Sequence, residues 1–150
     1  MKSGPSLEIQ LRKCYIAMLA PAILGFIIAS VVRRFSAPDM GAIKTLQWVI
    51  APALFALSFA FGIAFPLLLR TLFVNKNRHE KKISEDVLFK FERNTLYIAL
   101  ITPYIALAGF LLEIPRFHLV GTLLACFYAV YYFYPSRKRI QYERRIFRAK

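Results

Sequence analysis

Four long apolar runs, separated by short polar or charged stretches, organise the chain: Cys14 to Val32, Leu46 to Leu69, Thr95 to Leu112 and Phe117 to Tyr134. None carries Asp, Glu, Lys, Arg or His in its central two-thirds. Runs of about 20 residues match a hydrocarbon layer of roughly 30 Å at about 1.5 Å per helical residue. Backbone in lipid must satisfy its own hydrogen bonds, which leaves helices or a closed barrel, and a barrel needs segments of about ten residues in which apolar and polar positions alternate. The runs here are continuous. The pattern therefore predicts an all-α integral membrane protein, a four-helix bundle made of two αα-hairpins. The first run is longer than the apolar core of a secretory signal, contains Pro21 and leads into a second spanning run, so it is read as a retained helix.

The breakers between the runs divide the chain into a segment 1–13, a first hairpin 14–70, a basic loop 71–94, a second hairpin 95–134 and a basic tail 135–150. Leu7, Ile9 and Leu11 are expected along the interface ahead of the first span. Residues Ser36 to Gly41 read as a turn rich in Pro, Gly and Ser, and the very short link Ile114, Pro115 and Arg116 forces its two helices to pack antiparallel. In the loop, Ser84 is a candidate N-cap, Glu85 and Asp86 fall in a first turn, and Val87, Leu88 and Phe91 form an apolar stripe. This predicts a short amphipathic helix on the membrane surface. The tail repeats the theme, with Ile140, Tyr142, Ile146 and Phe147 among Arg and Lys. Such a segment is expected on anionic headgroups, where each basic residue contributes up to about 1 kcal/mol.

Composition supports the same class: 58% of 150 residues are hydrophobic, more than a soluble core of this size hides. The net charge of +13 is unevenly placed. Seventeen of the 21 basic residues fall before the first run, between the second and third runs or after the fourth, and only Arg33, Arg34, Lys44 and Arg116 fall on the other side. The positive-inside rule then puts both termini in the cytoplasm. The charge thus reports topology and not nucleic-acid binding. Trp48 at one interface and Tyr15, Tyr97, Tyr131, Tyr132 and Tyr134 at the other fit an aromatic belt. The compact, loop-poor layout is that of a bacterial inner-membrane protein.

Little catalytic chemistry is present. Cys14 and Cys126 lie at different depths, so neither a mutual disulfide nor a metal site is expected. His79 and His118 are too far apart for a haem site. The chain has no zinc-protease, nucleophile-elbow or phosphate-loop motif. Glu113, Arg116 and His118 could do acid–base work but read as a solvated turn with partly paired charges. No enzyme activity and no cofactor are expected.

Packing and aromatic contact remain. Small residues let helices approach closely in lipid, and two stripes have the spacing of one helix face: Ala56, Ala60 and Ala64, and Gly121, Ala125 and Ala129. Ser58 and Gly62 add a second face. Pro21, Pro66 and Pro103 mark expected kinks. Tyr15, Ile16, Ala17, Pro21 and Ile23 align without gaps on Tyr97, Ile98, Ala99, Pro103 and Ile105, and the ends Phe65, Pro66 and Arg70 match Tyr134, Pro135 and Arg139 in spacing. That suggests a parallel internal repeat, with Pro21 and Pro103 at matching depths beside a central cavity. Tyr128, Tyr131, Tyr132, Arg137 and Arg139 form a candidate aromatic and cationic site for a headgroup or other amphipathic ligand. The expected function is a non-enzymatic scaffold, assembly or regulatory subunit. Its expected partners are membrane lipids, anionic headgroups and either a second copy or another membrane subunit. The alternative is a small dimeric transporter, flippase or channel.

Overall fold

The computed structural model describes residues 7–35, 47–78 and 83–146, and among these all regular structure is helical. The elements are α1 (Leu7–Phe35), α2 (Gln47–Phe59), a π-helical turn (Ala60–Ala64), α3 (Phe65–Lys76), α4 (Glu85–Ala99), α5 (Thr102–Leu111), α6 (Arg116–Tyr132) and α7 (Arg137–Ile146). The predicted turn Ser36 to Gly41 and Phe147 of the tail lie outside the described residues. Three helical runs are long and apolar enough to cross a membrane: Glu8–Phe35, Gln47–Lys76 and Glu85–Leu111. The fourth, α6, has 17 residues and bends by 74° into α7.

Helix α1 starts earlier than expected, because Leu7 to Lys13 continue the span helix instead of lying along an interface. Its buried seam is Leu11, Tyr15, Ala22 and Ala29, the positions that recur on one helical face. Gly25 lies on the same seam, where a Cβ would fall 2.5 Å from a methyl group of Leu107. Pro21 is exposed and α1 runs past it unbroken. It is therefore not the cavity-lining break expected from its likeness to Pro103.

The second run is irregular where Pro66 demands it. Proline has no N–H, and its ring collides with the carbonyl four residues back. The π-helical turn Ala60–Ala64, in which the Phe65 N–H reaches back to the Ala60 carbonyl, widens the helix just ahead of that ring. The third run breaks at Leu100–Ile101 and restarts with Pro103 in the first turn of α5, where a missing N–H is tolerated. Ser84 holds the N-cap position of α4 without a side-chain capping bond. The amphipathic stretch after it is not a separate surface helix. It forms the first turns of the third long helix, with Leu88 buried beside Ile83, Phe73 and Phe91.

Packing departs from a pair of equivalent hairpins. Helix α5 is central, lying against α1, α2 and α6, while α1 packs on α4 and α5 and not mainly on α2. The proposed repeat halves also differ in environment: Tyr15 is buried and Tyr97 exposed, while Pro21 is exposed and Pro103 buried. The shared letters therefore do different work in the two places. Of the two small-residue stripes, Ala125 and Ala129 are buried, and Gly121 lies under Phe55. Ala56 and Ala64 face outward, and Ala60 is only half-buried. The inward face of the second run is instead Ala51, Ser58, Gly62 and Pro66.

Candidate functional site

The described charges gather at the two ends of the bundle. At one end, Arg33 pairs with Glu113 at 2.9 Å and lies 4.3 Å from the Phe110 ring centroid. Gln47 donates to the carbonyls of Leu112 (3.1 Å) and Glu113 (3.3 Å). These contacts clamp the end of α1, the start of α2 and the α5–α6 turn. Glu113 takes a left-handed backbone there (φ 52°). The grouping of Glu113, Arg116 and His118 does not form: Glu113 is taken by Arg33, Arg116 is exposed, and His118 packs edge-on against Phe55 and Phe117.

The other end holds the denser network, built on the return of the tail. Helix α6 stops at Tyr132, and Pro135, which cannot continue it, precedes α7. Helix α7 then folds back against α1, α3 and α4. Ile140 buries itself against Leu11 with Phe89 alongside. One turn on, Glu143 is 4% exposed and receives Arg70 Nη2 at 3.0 Å on Oε1 and 3.3 Å on Oε2. Arg139 reaches the other way, 3.5 Å from Glu92, and donates to the Tyr132 carbonyl at 2.7 Å. Its guanidinium also lies 5.1 Å from the Phe133 ring centroid. More exposed pairs, Arg144 with Glu85 and Arg137 with Glu8, each 3.1 Å, flank the helix. The tail was expected to lay Ile140 on lipid. That side chain is instead part of the protein core.

A cavity of about 20 Å³, room for one water molecule, lies beside this network. Arg70, Glu92, Arg139 and Glu143 form its charged wall, Gly62 and Pro66 a wall from the irregular second run, and Thr95 part of its inner lining. Thr95 is 5% exposed, and its Oγ1 has no hydrogen-bond partner within the protein. Tyr128 and Tyr132, stacked at 5.3 Å and 10°, close one side.

Of the five residues proposed as a ligand site, the structure brings Tyr128, Tyr132 and Arg139 together at this cavity. Tyr131 points away and is 86% exposed, and Arg137 is held at Glu8. The residue missed by sequence reasoning is Glu143. It is the lone carboxylate of a ten-residue tail helix otherwise rich in Arg and Lys, placed one turn from Arg139 on the face that carries Ile140. That position was a usable signal, since a single acid on the apolar side of a basic helix implies a cationic partner elsewhere.

A second space is wholly apolar: a cleft of about 340 Å³ between α1 and α6, with Pro103 and Cys126 at its floor. The two helices converge at the network end, where Tyr15 donates to the Val130 carbonyl at 2.9 Å and meets Tyr134 edge to face. Cys14 and Cys126 are both free thiols. Among the described residues no group of three or more His, Cys, Asp or Glu could hold a metal ion. Comparisons of the chain with models of known protein families, with curated proteins and with solved structures give no match.

Proposed function

We propose that this chain is a four-span membrane protein of the bacterial inner membrane, with α6 as its fourth span and both termini cytoplasmic. In this reading it is a non-enzymatic assembly or regulatory subunit that works by helix contact with a second copy or another membrane protein. The observation that carries the proposal is the outward direction of Ala56 and Ala64, with Ala60 half-exposed between them. The bundle does not use this stripe for its own packing, although small residues at a spacing of four are what a close helix–helix approach in lipid requires. The 17-to-4 division of basic residues supports the orientation, and the short α6 is within the range of about 17–25 residues that span.

The test is crosslinking in the native membrane. The unsubstituted chain is expected to give a discrete higher-mass species, and Ala56→Leu with Ala60→Leu is expected to abolish it while leaving the thermal midpoint of the purified chain unchanged. A chain that yields only monomer before any substitution contradicts the proposal.

One observation favours a second reading, a small transporter. The π-helical turn of the second run and the break of the third face each other where a Cβ on Gly62 would meet Thr102 Oγ1, beside the Thr95 cavity. Interrupted helices facing each other at depth are how several transporters build their sites. Solute or ion flux in proteoliposomes that falls severalfold on Pro103→Ala and Tyr132→Ala would favour this reading, and flux indifferent to both would remove it.

A further inference from the structure

Three features of the basic end coincide. Helix α7 borders the Thr95 cavity, contributing Arg139 and Glu143 to its wall. Among the described residues its hold on the bundle is four ion pairs, the more buried Glu143–Arg70 and Arg139–Glu92 and the more exposed Arg144–Glu85 and Arg137–Glu8, with one buried apolar contact at Ile140. It also crosses α6 at 74°, so when α6 stands across a bilayer α7 lies close to the membrane plane. We propose that α7 is a charge-latched cover over this cavity, and that anionic phospholipid headgroups release it.

The argument for that partner is a count of basic residues in the two states. In the docked state Lys138 and Arg145 face outward, Arg137 is exposed but paired with Glu8, and Arg139 and Arg144 are held by Glu92 and Glu85. Lifting α7 frees all three arginines and one carboxylate, Glu143, so the helix still gains positive charge. The exposed residues Tyr142 and Ile146 already have the interfacial character of a helix lying on lipid. Anionic lipid thus meets more cationic side chains on the released helix than on the docked one. A ligand shifts an equilibrium only through such a difference in affinity. A neutral or zwitterionic surface offers no comparable gain, and the latch stays closed. Release opens the cavity and brings the Thr95 hydroxyl into contact with bulk solvent.

This inference rests on the reading that the basic end faces an anionic leaflet. The test uses the full chain carrying Cys14→Ser, Cys126→Ala and Thr95→Cys, with reaction of the introduced thiol with a water-soluble maleimide as the readout. In phosphatidylcholine vesicles labelling is expected to be slow. In vesicles of equal parts phosphatidylcholine and phosphatidylglycerol it is expected to rise about tenfold or more. Arg70→Gln is expected to give fast labelling in both, and the reciprocal swap Arg70→Glu with Glu143→Arg to restore slow labelling in phosphatidylcholine. Amide hydrogen exchange over Arg137–Ile146 of the unsubstituted chain should show the same lipid dependence, which guards against a misfolded Thr95→Cys protein. Labelling and exchange indifferent to both lipid composition and Arg70→Gln overturn the latch. The assembly reading stands or falls separately, on the crosslinked species lost with Ala56→Leu and Ala60→Leu together.

Discussion

Replacing Gly62 by leucine is expected to unfold the packing of the second, third and fourth helical runs, the largest single-residue effect we predict in the bundle interior. A Cβ built on Gly62 meets Thr102 Oγ1 at 3.2 Å and the Ala125 carbonyl oxygen at 3.3 Å. The second of these is backbone and cannot rotate aside. Both neighbours are buried in elements that pack on the second run, so the obstruction cannot be relieved by moving one surface side chain. Alanine at this position is expected to cost about 1–3 kcal/mol and leucine more, because overpacking a closed seam forces the helices apart. Ala64→Leu, two residues away on the outward face, is the control and should stay within about 0.5 kcal/mol of the unsubstituted chain. Thermal midpoints in a mild detergent measure both. Equal midpoints for Gly62→Leu and Ala64→Leu would mean that the three-helix contact at Gly62 is not a determinant of the fold.

The contrast between Gly62 and Ala64 also shows what the linear pattern can reveal. The apolar runs and the breakers at Pro115 and Pro135 are local properties, and the helices follow them closely. Which small residue faces inward is not local. Ala56, Ala60 and Ala64 have as good a spacing as Ser58, Gly62 and Pro66, and the choice between these faces falls to partners far along the chain, Thr102 and Ala125. The positions matched by the apparent repeat differ in packing for the same reason. Tyr15 and Tyr97 stand at equal distances from their prolines, but only Tyr15 has a carbonyl partner on α6. The charged cluster was half legible: Arg70 and Glu92 stand near the ends of their runs and Glu143 shares a helix face with Ile140, but the spacing does not name its partner. A basic amphipathic helix suits lipid and a carboxylate-bearing bundle end equally well, and docking was decided by the complementary charges on α3 and α4.

Removing one partner of the Arg70–Glu143 pair is expected to do more harm than removing both. Glu143 is 4% exposed, so Arg70→Met leaves a buried carboxylate without its cation, whereas the contact at Arg70 is about one-third exposed on the arginine side. A fully buried ion pair broken in this way costs about 3–5 kcal/mol. Partial solvation at Arg70 lowers the expectation here to about 2–3 kcal/mol in the docking of α7. Glu143→Met alone leaves a cation that can turn toward solvent or Glu92 and should cost less, about 1–2 kcal/mol. The double variant Arg70→Met with Glu143→Met places two apolar side chains beside Leu67 and Phe91 at the cavity wall. It should recover to within about 1 kcal/mol of the unsubstituted chain, since a well-packed apolar pair often replaces a buried ion pair without loss. The coupling is read from hydrogen exchange across Arg137–Ile146 in the four proteins of the cycle. Additive effects would show that the two side chains act independently and that Ile140 alone anchors the tail. A coupling of about 2 kcal/mol would show that the tail is held by charge, which is what makes it releasable by a charged surface.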